Sequence, residues 1–164
     1  MIFTGHHEHA IDAKNRLAIP AKFRSRIDPE RDGKGLYVVP GVPLSTLWIY
    51  TERYFEALVE RRVSSSLIPD EDVLRFEQEY FPRAELLELD SQGRILIPDK
   101  MLKDARLERD VVICGVRDHL EIRRRDEFEN EYAAGWDRYR EYQLKARQAY
   151  NAFQRRVGEE PGAT

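Results

Sequence analysis

The residues best placed to do chemistry lie in two short stretches that echo one another. Asp12-Ala-Lys-Asn-Arg-Leu-Ala-Ile-Pro20 is matched by Asp90-Ser-Gln-Gly-Arg-Ile-Leu-Ile-Pro98, with Asp first, Arg fifth, Ile eighth and Pro ninth in both. The fourth position is Asn15 in one copy and Gly93 in the other. These residue types best tolerate a positive φ, so each stretch is expected to form a tight hairpin turn there. An Asp heading such a turn can accept backbone amides across it. An Arg one residue past the turn can pair with that Asp or project from the hairpin. Arg16 and Arg94 are open to either role.

Local charge separates the two copies. From Ala13 to Arg26 there are five basic residues, Lys14, Arg16, Lys22, Arg24 and Arg26, and no acid. The chain as a whole carries a formal net charge of −3, because acids crowd elsewhere, as in Asp70-Glu71-Asp72. A cationic patch set apart from an acidic remainder is the electrostatic footprint of a phosphate-binding face. In the second copy Arg94, Lys100 and Lys103 are offset by Asp99 and Asp104. One such patch neutralises few phosphates, so useful affinity for nucleic acid requires several copies on one rigid particle.

Other chemistries fare less well. His6, His7 and His9 form the densest group of metal-ligating residues, but on a strand only His7 and His9 share a face, and zinc sites usually take three or four ligands. His119 would have to join them. A metal-binding protein using His6, His7 and His9 is a minor alternative, and no metal or cofactor is expected. No G-x-S-x-G, Walker glycine loop or H-E-x-x-H is present. Asp12 and Asp90 could be imagined as a catalytic carboxylate pair, but an Arg four residues after each would lower its pKa and suit it poorly as an acid. The chain is therefore not expected to be an enzyme or to take a small-molecule substrate. The single cysteine, Cys114, lies in the apolar run Val-Val-Ile-Cys-Gly-Val and reads as a small buried hydrophobe.

The elements that must position these residues follow from spacing. Residues 2–11 suit a strand with His7, His9 and Ile11 on one face and His6, Glu8 and Ala10 on the other. Arg16–Ile19 continues extended and Pro20 ends pairing. Residues 21–26 suit a short helix, 28–35 a loop, and 36–39 and 46–50 strands. Thr51 looks like the N-cap of a helix carrying Tyr54, Phe55, Leu58 and Val59, which Ser64-Ser65-Ser66 breaks. Asp70 opens an acidic helix that Pro82 ends. Strands at 84–89 and 94–97, a short helix at 99–105, and strands at 111–114 and 120–123 follow. Leu47-Trp-Ile49 aligns with Leu120-Glu-Ile122 and Phe55 with Phe128, so the repeat is a whole supersecondary unit of about 45 residues. Its copies span 6–53 and 84–127. Residues 128–156 form a long helix with an aromatic stripe (Phe128, Tyr132, Trp136, Tyr139, Tyr150, Phe153), and composition makes 157–164 a disordered tail. Such a stripe is expected to pack on the chain's own barrel or on another subunit. No apolar run approaches the ~20 residues of a membrane span, and the N-terminus lacks the features of a signal peptide. A soluble cytoplasmic protein is expected.

The sequence D-x-K-x-R-L-x-I-P-x-K-F-R, preceded by Phe3-Thr-Gly5, together with the second D-x-x-G-R-I-L-I-P, resembles the MraZ transcriptional regulators of the SpoVT/AbrB group. The resemblance covers roughly residues 1–150; the clearest departure is Asn15, where the family usually has Gly. It implies an α+β, mainly β fold: a pseudo-twofold swapped-hairpin β-barrel from two internal repeats, with helices between them and a long C-terminal helix. It further implies a ring-shaped homo-oligomer, associated with the nucleoid, that binds double-stranded DNA at direct repeats upstream of the division and cell-wall gene cluster. The motif arginines, Arg16 and Arg94, are the implied DNA-reading residues. With Lys14, Asn15, Lys22, Arg24, Gln92 and Lys100 they make up the expected DNA-binding set. An antitoxin-type regulator of the same group is a further alternative, weakened because those proteins carry one motif copy and dimerise to complete the barrel.

Overall fold

Alternation of apolar and polar residues on either side of the two motif turns builds a mainly β structure. A computed structural model describes residues 2–61 and 70–158. They divide into two compact units, Met1–Arg125 and Asp126–Thr164. In the first unit the strands are β1 (Phe3–Ala10), β2 (Arg16–Ala18), β3 (Gly35–Pro40), β4 (Leu47–Thr51), β5 (Glu85–Glu88), β6 (Arg94–Leu96), β7 (Asp110–Arg117) and β8 (His119–Arg124). The helices are α1 (Ala21–Arg24), α2 (Pro29–Asp32), α3 (Glu52–Glu60), α4 (Glu71–Tyr80) and α5 (Asp99–Asp104), with a 3-10 turn at Phe81–Arg83. Helix α6 (Arg125–Gly158) begins at the last residue of the first unit, and its residues 126–158 are the described part of the second.

Six strands form one sheet in the order β1-β7-β8-β4-β3-β5, and β2 pairs with β6 in a separate two-stranded ribbon. The sheet order is a palindrome under exchange of the two copies. Leu17 faces Ile95 in the ribbon, and Trp48 faces Glu121 where β4 meets β8. Each of these residues is the other's counterpart in the duplicated unit, so a pseudo-twofold axis passes through both pairs. The strands flanking each motif turn do not pair with one another as a simple hairpin: β1 runs against β7 and β2 against β6. Each copy thus completes its hydrogen bonding on the other. Among the described residues β1 and β5 remain the edges of the sheet, so its strand pairings do not close into one continuous barrel.

The inner faces of sheet and ribbon share one core. Leu17, Ile19, Val38, Ile49, Ile95, Ile97, Ile113 and Ile122 are all but fully buried within it. A second cluster on the outer face gathers Val39, Tyr50 and Phe55, with Tyr37 stacked on Phe55 at 4.5 Å. The loop expected at 28–35 contains a helix: Asp28 caps α2 by accepting the Glu30 amide, and Pro29 pre-sets its first turn. Thr51 occupies the N-cap position of α3 but makes no side-chain capping bond. Asp70 caps α4 through the Asp72 amide, as its position suggested. The Ser64–Ser66 break and residues 159–164 of the expected tail lie outside the described residues. Helix α6 itself continues to Gly158.

Candidate nucleic-acid interface

The two motif turns have the same internal wiring. In the first, the Asn15 amide donates to the Asp12 carbonyl at 2.9 Å, and the Asp12 amide to the Arg16 carbonyl at 3.0 Å. The equivalent bonds at Asp90, Gly93 and Arg94 are both 2.8 Å. Asn15 and Gly93 have φ of 60° and 73°, the left-handed conformation their residue types suggested. This is the geometry of a three-residue loop whose last residue is left-handed.

Each Asp then organises its own turn. Asp12 Oδ1 accepts the amides of Lys14 (2.8 Å) and Arg16 (3.0 Å), while Oδ2 accepts Nε and Nη2 of Arg16, both at 2.7 Å. Asp90 does the same with Gln92 and Arg94, its contacts to the guanidinium being 2.8 and 2.7 Å. The Arg16 amide, opposed by desolvation and reinforced by the guanidinium, pulls the Asp12 carboxyl down to about 2. Asp90 is also lowered, chiefly by the Arg94 side chain. Both carboxylates are therefore fixed as acceptors. The two Asp residues are not brought together as a pair, because the first turn abuts β6 through Ile97 and the second abuts β2 through Ile19.

The ribbon determines where the arginines point. Leu17 and Ile95 are fully buried, which leaves Arg16, Ala18, Arg94 and Leu96 on the opposite face. Arg16 lies across from Leu96 and Arg94 across from Ala18. The two guanidinium groups thus stand diagonally on one face, with backbones roughly 7–8 Å apart. Their side chains are 34% and 24% exposed, and their Nη1 groups have no partner among the described residues. A carboxylate holding Nε and Nη2 removes most of the rotamer freedom an arginine would otherwise lose on binding. A two-stranded ribbon is also an element that the major groove of B-DNA admits.

The remaining expected residues fall into distinct places. Lys14 and Gln92 are exposed at the two tips. Lys22 on α1 and Lys100 on α5 occupy equivalent exposed positions, Lys100 lying 3.9 Å from Asp104. Asn15 is half-buried, and its carbonyl accepts the Ile97 amide at 2.9 Å. Arg24 is tied to the second turn: its Nε donates to the Ile19 carbonyl at 3.0 Å, and its guanidinium packs on Gly93. Beside the first tip runs a groove of about 830 Å³, lined by Asp12, Asn15, Lys103, Arg106 and Arg109 among others. Arg106 and Arg109 are exposed cations that the sequence pattern hid, since Arg-Leu-Glu-Arg-Asp reads as locally balanced charge.

The histidines divide as the strand pattern predicted, with His7 and His9 half-buried on the inner side of β1 and His6 exposed. His7 packs edge-on against Phe23 at 5.3 Å, and burial lowers the His9 pKa. His119 does not join them. It is buried against Trp48 and Tyr50, with Nδ1 2.8 Å from Asp118 and Nε2 3.4 Å from Glu121. Among the described residues no three His, Cys, Asp or Glu side chains are grouped to hold a metal. Cys114 is buried, and desolvation pushes its thiol up to about 12.

Comparison with known proteins adds a second line of evidence. The family model of the MraZ protein, antitoxin-like in its description, matches residues 2–76 and 80–156. The transcriptional regulator MraZ of Thermomicrobium roseum is 39% identical over 121 residues, covering 74% of this chain and 80% of its own length. The protein of the same name from Lactiplantibacillus plantarum is 34% identical over 139 residues, covering 83% and 94%. That of Clostridium tetani is 31% identical over 128 residues, covering 78% and 85%.

Proposed function

This chain belongs to the MraZ family of transcriptional regulators, and on that premise we propose that it binds double-stranded DNA through the outer face of the β2–β6 ribbon. The observation that carries the reading is the diagonal pair Arg16 and Arg94, each clamped by its own Asp on one face of a two-stranded element. Lys14, Asn15 and Gln92 sit at the tips beside them, and Lys22 and Lys100 flank them as phosphate contacts. Arg106 and Arg109 add cations to the groove beside the first tip, which Asp99 and Glu108 also line. Arg24 supports the second tip from beneath and contributes charge from there. The operator is a run of short direct repeats upstream of the division and cell-wall gene cluster, and the protein is cytoplasmic and nucleoid-associated. Among the described residues no helix is long and apolar enough to cross a membrane.

Binding takes place as a ring of subunits. One ribbon neutralises few phosphates, and affinity rises steeply with their number. A ring presents ribbons at a regular spacing that suits a repeated site. The exposed aromatic residues of α6, Tyr132, Trp136, Tyr139 and Tyr150, support association, because a monomer seldom leaves so much apolar surface in water. The copies 6–53 and 84–127 act as the two halves of each DNA-binding module, and 128–156 as the assembly helix.

The test is a gel shift on the DNA upstream of the protein's own gene across a salt series, with the wild type and Arg16→Ala. Specific, salt-sensitive retardation that the variant weakens is expected. Retardation that survives loss of both arginines would remove the ribbon from the interface.

A further inference from the structure

The pseudo-twofold is broken at one place that has the character of a ligand site. In the first copy, β1 stays paired with β7 as far as Phe3, opposite Arg117. Phe3 is 2% exposed and meets the Phe23 ring edge-on at 5.9 Å. It also lies against Gly115, where an added Cβ would stand 2.7 Å from the Phe3 backbone. In the second copy, Phe81 is the counterpart of Phe3, Met101 of Phe23 and Pro40 of Gly115. Here the pairing of β5 with β3 stops at Glu85 opposite Val38. Pro40 and Pro82 have no amide to continue the ladder, and the chain turns into the 3-10 helix at Phe81–Arg83. Phe81 is carried away to pack on Tyr80 and to line a cleft with Tyr37 and Phe55.

Beside the counterparts of Phe23 and Gly115 there is a cavity of about 320 Å³, lined by Pro40, Leu44, Leu47, Pro98, Met101 and Ala105. Two of these are counterparts of residues set against Phe3, Met101 of Phe23 and Pro40 of Gly115, and Leu47 and Pro98 are the counterparts of Leu120 and Pro20. Its charged lining is balanced, Arg83 and Lys100 against Glu85 and Asp104. Nothing in that balance favours an ionic ligand, while the apolar walls favour a ring.

We propose that this cavity binds an uncharged, single-ring aromatic small molecule, held where the first copy holds the phenyl ring of Phe3. The site is independent of the ribbon arginines, yet α5 serves both. Met101 of α5 and Ala105 at its C-cap line the cavity, and Leu102 and Lys103 of the same helix line the groove beside the first tip.

The chain has two methionines, Met1 and Met101, so methyl-13C-methionine labelling gives a reporter in the cavity at Met101 and a second methyl signal for comparison. The experiment is a titration of the full-length labelled protein with toluene, followed by methyl NMR. The Met101 methyl is expected to shift saturably at low-millimolar toluene while Met1 stays in place. Toluene should raise the melting temperature of the wild type but not of Ala105→Leu, whose larger side chain occupies the ring position. Three results would overturn the proposal: no shift at Met101; equal, non-saturating shifts at both methyls; or a Met101 signal that follows protein concentration instead of toluene. The last would place a second copy of the chain in the slot.

Discussion

The guanidinium carbon of Arg24 lies 2.6 Å from where a Cβ on Gly93 would stand. The counterpart of Arg24 in the second copy is Leu102, and the counterpart of Gly93 is Asn15. One tip therefore has an arginine from α1 beneath a glycine, and the other has a leucine from α5 and a residue with a side chain. Gly93→Ala must bear a left-handed φ of 73° and displace Arg24 from the Ile19 carbonyl. We expect it to lower stability by about 1–2 kcal/mol, measured by urea denaturation. Asn15→Gly should change it by no more than a few tenths of a kcal/mol. A Gly93→Ala loss that is unchanged in an Arg24→Ala background would show that the two residues are not coupled.

Arg16→Ala should weaken DNA binding about tenfold or more, the loss of one bidentate base contact, with the fold retained. Arg94→Ala should act to a lesser or comparable degree. Exposed ion pairs such as Asp12–Arg16 are screened by solvent and contribute little to stability, so a large loss of stability in Arg16→Ala would mark the arginine as structural. Lys22→Ala should reduce the slope of log K against log salt by about one without changing sequence preference.

Stability should depend on pH at both ends. The Asp12 carboxyl, at about 2 in the fold, lies below its unfolded value of ~3.9. Its stabilisation is present above the unfolded value and lost as pH falls toward 2. His119 is pushed down by burial but raised on balance by its bonds to Glu121 and Asp118. Its contribution is therefore full below ~6.5 and lost as pH rises through the higher folded value. Melting temperature against pH should show both declines. Asp12→Asn should flatten the acid limb and His119→Gln the alkaline one.

The aromatic face of α6 should govern assembly. Trp136 is 80% exposed and stacks on Tyr139 at 5.8 Å. In a ring, replacing both by Ser should move the mass measured by light scattering toward the monomer and weaken DNA binding at unchanged ribbon sequence. A wild type that is already monomeric at micromolar concentration would remove the avidity argument.

Much of this architecture was legible because it rests on local chemistry. The left-handed turn residues, the Asp heading each motif turn, the Asp70 cap and the alternating strands each follow from a few neighbouring side chains. Leu47-Trp-Ile49 and Leu120-Glu-Ile122 could be aligned as repeats, but that they face each other across β4 and β8 depends on long-range pairing that no local pattern encodes. Arg24 looked like one more cation in a basic run, and only the approach of the second turn gives it a packing role. Arg106 and Arg109 were masked by the adjacent acids in sequence, and only the approach of the first turn sets them beside Asp12 and Asn15.

The pairing of Leu17 with Ile95 has a consequence for how such a surface can change. Were the two halves identical chains, every substitution would appear on both sides of the axis at once, and an arginine under one tip would oblige an arginine under the other. Joined in one chain, each tip has its own genetic address. One can be tuned for a base step while the other keeps the glycine that its neighbour demands, and an asymmetric operator can be met by an asymmetric reader.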